Sequence, residues 1–347
     1  MRLADHTTLR VGGPAGEFVT IDTDDELTEV VRDSDQDGVA VLLLGGGSNV
    51  VVGDAGFDGR VVQVNTQGLT VDALDDDHVT VTVAAGVEWD EVAAQCVADG
   101  LRGVESLSGI PGTVGATPIQ NIGAYGQEIA GAIGDVRVFD RRSRTPGQLT
   151  AAECGFGYRT SRFKIEPDRF VILSVSLRLA RSRVSEPIRY PELGTRLGVG
   201  TGGVASLSAV REAVLELRRG KGMVLDATDH DTWSAGSFFT NPVLEADLAA
   251  QLPGDAPRWP ASDGRIKISA AWLIERAGYG KGFALTPDAG AAVSSKHSLA
   301  LTNRGDASTA DLLALARAIR DGVQAEFSVA LVPEPTLVNC GLGGAVR

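Results

Sequence analysis

The chain holds only three cysteines, and no two are neighbours in sequence. Cys96, Cys154 and Cys340 form no CxxC pair and no zinc-ligand spacing, which excludes a disulfide-stapled fold and a zinc ribbon and leaves three buried thiols as the expectation. The four histidines make no HxxxH pattern, so a metal centre has no support. No apolar run approaches the ~20 residues that a membrane helix needs. The opening stretch, MRLADHTTLR, lacks the apolar core of a secretion signal, so a cytoplasmic location is expected. Basic residues are outnumbered 45 to 32, a formal net charge of −13. That balance argues against a nucleic-acid partner, whose phosphate backbone calls for a basic surface. It still permits a small anion held by a local cluster. Lysine is scarce beside arginine, which reads as genome composition.

What is present describes a globular chain. At 347 residues and 43% hydrophobic content it can bury a sizeable core divided over two or three domains. The segment that stands out is GIPGTVGATPIQNIGAYGQ at 109–127. Gly109, Gly112, Gly115, Gly123 and Gly126 interrupt any regular helix or strand, and Pro111 and Pro118 remove backbone donors. A rigid loop whose backbone approaches a ligand closely needs this composition, as does a long tight turn between packed elements.

Along the chain, VGGPAG at 11–16 reads as a turn before the strand EFVTI. A short helix is expected over 24–35, and VAVLLL at 39–44 is an apolar run of strand length that ends in GGGSN. Strands are expected at 61–66 and 78–86. In 88–99, Trp89, Val92, Ala93, Cys96 and Val97 share one helical face. Strand character returns at 133–139 and 170–179, with an arginine-rich hairpin or loop between. Residues 181–203 read as loop, 206–219 as an amphipathic helix, and 269–277 and 308–326 as further helices. FSVALV, 327–332, reads as the final strand. No repeat is visible, and the strands are too irregularly spaced for a simple βαβ array, so the fold class is α+β.

GGGSN after an apolar strand invites a dinucleotide-fold reading, but there is no GxGxxG and no acidic residue about 20 positions on to take a ribose. GxxxxGK[ST] is absent as well. Two glycine-rich loops remain, 45–49 and 109–116, and a pair of such nests suits a pyrophosphate. A flavin–adenine dinucleotide is one guest with that group.

Seven motifs in fixed order carry a more specific message: VGGPA at 11–15, LGGGSNVV at 44–51, SGIPGTVGATPIQNIGAYGQE at 108–128, FGYRTSRFK at 156–164, GSFFTNP at 236–242, KISAAWLIERAG at 267–278 and VPEP at 332–335. Together they resemble the UDP-N-acetylenolpyruvoylglucosamine reductase family, and Tyr190 in RYPEL resembles its type I subgroup. The resemblance implies a two-part FAD-binding unit of the vanillyl-alcohol-oxidase type with a third α+β domain for substrate. It places the first subdomain at 1–66, joined by a returning segment at 327–347, the second at 67–222 and the substrate domain at 223–326. It implies noncovalent FAD, NADPH as hydride donor, UDP-N-acetylglucosamine enolpyruvate as substrate, and a monomer.

The same resemblance assigns residues. Arg159, Ser237 and Glu334 are carried over as the catalytic set: Arg159 toward the enolpyruvyl carboxylate, Ser237 as proton donor, and Glu334 assisting the protonated intermediate. Taken alone, a serine in a glycine-flanked turn is most often structural, and an arginine or a strand-end acid most often solvated. Pro335 stands where the family commonly has valine. Gly45, Gly46, Gly47, Ser48 and Asn49 are expected near the FAD pyrophosphate, with Gly109, Ile110, Gly112, Thr113, Gly115 and Ala116 as a second cradle and Gly123 and Ala124 against the cofactor. Tyr190, Lys221 and Asn241 are the candidates for the substrate diphosphate. RRGK at 218–221 matches a family R-x-x-K pattern, although RGKG departs from its usual continuation. A superfamily oxidase acting on an alcohol would dispense with the Arg159–Ser237–Glu334 set. A silent sugar-nucleotide-binding module would dispense with the glycine loops.

Overall fold

The computed structural model describes residues 1–261 and 263–343. The chain divides into two compact units. One comprises Met1–Ala15, Gly47–Phe57 and the chain from Leu225 onward. The other comprises Gly16–Gly46 and Asp58–Val224.

In the Gly16–Gly46 and Asp58–Val224 unit, strand Val41–Leu44 runs parallel to Phe57–Val64, with Leu44 opposite Gln63. Helix Asp24–Asp37 connects the first strand, Ala15–Ile21, to that pair. Its ends follow from local chemistry: the Thr23 side chain accepts from the Glu26 N–H, and Gly38 takes the left-handed conformation, φ 68°, that closes the helix. A larger antiparallel sheet follows, with strands in the order Thr145–Thr150, Ile133–Asp140, Phe170–Arg181, His78–Ala84 and Leu69–Ala73. Its middle strand is buried from Phe170 to Leu177, Ser174 and Ser176 included. His78–Ala84 alternates, with Val79, Val81 and Val83 turned into the core. Helix Trp89–Ala98 packs on them through Trp89, Val92, Ala93 and Cys96, the face expected from its spacing.

Among the described residues, the other unit holds short strands and the α-helices Ala246–Gln251, Ala270–Arg276 and Thr309–Phe327. Phe238, Phe239, Leu273, Ile274, Leu312, Leu315 and Ile319 form its core. Helix Thr309–Phe327 starts with a capping box between Ser308 and Asp311. The Asp54 carboxylate also accepts the N–H groups of Thr309, at 2.8 Å, and Ala310, at 2.9 Å, which suits the positive end of the helix.

Two elements differ from expectation. The helix continues through Phe327 and ends on Ser328 at φ 56°, so FSVALV is not the final strand. Val329 and Leu331 do alternate into the core, but their segment joins no sheet. The terminal strand is Thr336–Val338, beyond Pro333 and Pro335, and it pairs in parallel with Val50–Val52. Within 181–203, helix Pro191–Leu197 forms where a loop was expected. Proline occupies its first turn, Gly198 closes it at φ 70°, and Leu193 is buried beneath it. The remaining expected helices and strands form within a few residues of their predicted limits.

Candidate functional site

Gly45 and Gly46, which open the first glycine loop, meet the second loop inside the Gly16–Gly46 and Asp58–Val224 unit. Gly46 lies so close to Gly112 that a Cβ on Gly46 would stand 2.8 Å from the Gly112 Cα. A Cβ on Gly45 would stand 2.4 Å from the Thr113 Oγ1. At Gly46 glycine is required because backbone packs on backbone, whereas at Gly45 the neighbour is the Thr113 side chain. Residues 66 positions apart thereby form one surface, which the spacing alone did not reveal.

The hydrogen bonds of this surface divide its amides into two sets. The Gly109 N–H is held by Asp90 Oδ1 at 2.6 Å, and its carbonyl accepts from Arg218 Nε at 3.0 Å. Val114, Gly115 and Ala116 donate to the carbonyls of Val87, Ala85 and Thr113. These residues build the loop. Among the described residues, the N–H groups of Gly46, Ile110, Gly112 and Thr113 make no hydrogen bond. A set of unpaired main-chain donors around a glycine contact suits a pyrophosphate, so these residues fit that part of FAD.

Charge beneath the loop comes from Asp90, which the sequence did not single out, and from Arg218, which it offered only as the arginine of the R-x-x-K pattern. Arg218 donates to the carbonyls of Gly109 and Met223, and burial pulls its pKa down to about 10. Asp90 is pushed up by burial, but bonds from Arg211 and the Gly109 N–H outweigh this and hold it below the usual carboxylate range.

The second half of the loop holds Arg159. Its Nη2 donates to the Gly123 carbonyl at 2.8 Å and its Nη1 to the Asn121 carbonyl at 3.3 Å. Asn121 is itself buried and locked: its Oδ1 accepts the Ala130 N–H and its Nδ2 donates to Glu128 and to the Gly157 carbonyl. Arg159 has φ 53°, a left-handed conformation that costs a non-glycine residue energy and that this anchoring sustains. Gly123 and Ala124 form a short ladder with Glu128 and Gln127.

Tyr190 and Lys221 come together around Tyr125, which sequence reasoning did not select. The rings of Tyr125 and Tyr190 meet edge to face at 5.3 Å. The Lys221 ammonium lies 5.8 Å from the centre of the Tyr125 ring and pairs with Glu192 at 2.5 Å. Burial raises the Tyr125 phenol to about 12, so it stays protonated at neutral pH. Tyr190 is exposed at the start of helix Pro191–Leu197.

In the other unit, Ser237 and Glu334 occupy neighbouring backbone positions. Segment 237–240 is held on one side by a bridge between Ser237 and Ala300 and by the Phe238 N–H donating to the Leu299 carbonyl at 2.7 Å. On the other side the Glu334 N–H donates to the Phe238 carbonyl at 2.9 Å, and the Thr240 N–H to the Val332 carbonyl at 3.0 Å. Gly236 makes the turn before the serine with φ 71°. The rings of Phe238 and Phe239 are buried and meet edge to face at 5.1 Å, which anchors the segment. Asn241 has a structural duty: its Oδ1 accepts the Ala270 N–H at the start of helix Ala270–Arg276.

Gly47, Ser48 and Asn49 belong to this unit as well. Gly47, at φ 60°, accepts the Thr8 N–H, and Asn49 accepts the Thr336 N–H, two residues past Glu334. No described helix is long and apolar enough to cross a membrane, and no described group of three or more His, Cys, Asp or Glu could hold a metal. Cys96 and Cys154 are buried, and Cys340 is half-buried.

Known proteins share this layout. A family model described as the UDP-N-acetylenolpyruvoylglucosamine reductase C-terminal domain matches residues 227–338, and one described as an FAD binding domain matches 16–139. The chain is 54% identical to the UDP-N-acetylenolpyruvoylglucosamine reductase of Thermobifida fusca over 98% of its own length and 97% of that protein's. It is also 54% identical to the enzyme of the same name from Cutibacterium acnes, over 97% and 89%. The crystal structure of UDP-N-acetylenolpyruvylglucosamine reductase from Thermus caldophilus superposes with a TM-score of 0.66 at 26% identity, covering 97% of each chain.

Proposed function

The chain belongs to the UDP-N-acetylenolpyruvoylglucosamine reductase family, and from that premise we propose that it reduces UDP-N-acetylglucosamine enolpyruvate to UDP-N-acetylmuramate, with NADPH as hydride donor. The observation that carries the reading on this chain is the Gly46–Gly112 contact with its unpaired amides, whose loop also anchors Arg159. FAD held there would supply the redox chemistry, hydride transfer between NADPH and C3 of the enolpyruvyl group.

The protein's share is binding, orientation and proton delivery. The amides of Gly46, Ile110, Gly112 and Thr113 would hold the FAD pyrophosphate. The planar fork of Arg159 matches the two oxygens of the enolpyruvyl carboxylate and stabilises the negative charge that grows there as C3 gains hydride. Ser237 delivers its hydroxyl proton to C2, so hydride and proton together saturate the double bond. A hydroxyl is a weak acid and needs assistance, which is the role we give Glu334 beside it. Tyr190 and Lys221, with Asn241, are our candidates for the substrate diphosphate. We assign FAD binding to residues 1–66 with 327–347 and to 67–222, and substrate binding to 223–326. The enzyme would act as a cytoplasmic monomer in cell-wall precursor synthesis.

The test is direct. Purified protein is expected to be yellow, and to oxidise one NADPH for each enolpyruvyl sugar consumed. FAD-loaded protein that fails to reduce that sugar would overturn the assignment.

A further inference from the structure

The segment HTTLRVGG, residues 6–13, contributes nothing to the chemistry proposed above, yet it is bound tightly to the loop that precedes Ser237. The Thr8 side chain donates to the Ser234 carbonyl at 2.7 Å, and the Thr8 main-chain N–H donates to the Gly47 carbonyl at 3.1 Å. Both Thr8 and Ser234 are buried. One residue therefore ties the GGGSN loop to the backbone three residues ahead of the serine.

The surroundings reinforce the tie. Arg10, at φ 54°, lays its guanidinium 3.7 Å from the centre of the Trp233 ring. The Asn303 N–H donates to the Trp233 carbonyl at 3.0 Å, and its Nδ2 donates to the carbonyls of Leu9 and Arg10 at 3.1 Å each. Asn303 is buried and its Oδ1 accepts the N–H groups of Gly305 and Ala307, so it is rigid in turn. Downstream, the Ser234 Oγ accepts the Gly236 N–H at 3.2 Å, and Gly236 makes the turn into Ser237. The path from Thr8 to the serine thus runs through one carbonyl, one hydroxyl and one glycine turn, each held by a named hydrogen bond or dihedral.

We propose that Thr8 is a positioning residue for Ser237, with its hydroxyl fixing the 234–237 turn against the same loop that its main chain holds at Gly47. The inference rests on the proposed role of Ser237 as proton donor. A proton donor acts over hydrogen-bond reach, and a misplacement of about 1 Å can cost on the order of a hundredfold in rate. Replacing Thr8 with valine removes the hydroxyl and leaves the N–H on Gly47. The Ser234 carbonyl then loses its donor while the glycine loop keeps its own.

The experiment measures the two half-reactions of the FAD-loaded enzyme separately by stopped-flow absorbance, together with steady-state KM. In T8V, flavin reduction by NADPH is expected to stay within about twofold of wild type. Reoxidation by the enolpyruvyl sugar is expected to slow by about tenfold or more, with KM for that sugar little changed. Thr8→Ser restores the hydroxyl and should recover most of the rate. Should T8V purify without FAD, Thr8→Ala carries the same comparison. Reoxidation at the wild-type rate in T8V would overturn the proposal. So would an equal loss in both half-reactions, or a loss that serine does not rescue, since either marks a merely structural residue. Failure of the wild-type enzyme to react with the sugar is a separate result that strikes the functional reading first.

Discussion

Gly46→Ala is the sharpest perturbation of the cofactor cradle. The added methyl carbon would stand 2.8 Å from the Gly112 Cα and 3.5 Å from both the carbonyl carbon and the nitrogen of Gly112. Carbon atoms prefer about 3.5–4.0 Å, so the two loops must separate by several tenths of an ångström. The obstacle is backbone, which cannot swing aside as a side chain can. Overpacking of this kind costs about 1–3 kcal/mol. If the loops part readily in the free protein, that cost reappears when FAD needs them together, and affinity falls by about 5- to 150-fold. If they cannot part, it appears as lost stability. Flavin fluorescence quenching on titration of apoprotein reads the first quantity, and thermal unfolding of apoprotein reads the second. Gly131→Ala is the matched control in the same unit, because a Cβ there meets nothing within 4 Å. Wild-type FAD affinity together with a wild-type melting temperature in G46A would refute the assignment of this contact to the cradle.

Two further expectations follow from the same geometry. S237A should keep the NADPH-to-flavin half-reaction and lose sugar reduction by about 10²- to 10⁴-fold, the usual worth of a positioned proton donor; stopped-flow traces in which both halves fall equally would deny it that role. Asp90 is held below its ordinary value of 3.8, so its ionised form stabilises the fold at neutral pH, and that contribution disappears as pH falls through its depressed value. Urea denaturation should therefore show D90N less stable than wild type above pH 3.8, with the gap closing in more acidic solution; a gap that does not vary with pH would contradict the role given to the charge.

Local chemistry made most elements legible. Thr23 and Gly38 mark both ends of the first helix, and the Trp89–Cys96 spacing announces its buried face before any tertiary contact is known. Helix Pro191–Leu197 was hidden because its arginine, proline and glycine content reads as loop, although Pro191 and Gly198 are themselves end signals. FSVALV alternates correctly for a strand, but a strand also needs a neighbour, and pairing is a property of the whole fold. The candidate residues were legible through motif order, whereas their connections were not. Nothing in the spacing says that Gly109 has both its amide and its carbonyl bound within the protein, or that Gly112 keeps its N–H unpaired. Tyr125 was given no role, and Arg218 was read only as the arginine of the R-x-x-K pattern, because neither type signals a site alone; each acquires meaning from its place beside Lys221 or Gly109. Thr8 was invisible for the same reason, its partner lying 226 residues away.

The central claim is that flavin bound by this chain links NADPH to the enolpyruvyl sugar. Anaerobic stopped-flow mixing tests it most directly. NADPH should bleach the flavin absorbance, and addition of UDP-N-acetylglucosamine enolpyruvate should restore it, with one UDP-N-acetylmuramate formed per flavin. Absorbance that stays bleached in the presence of the sugar and returns only with oxygen would contradict the account.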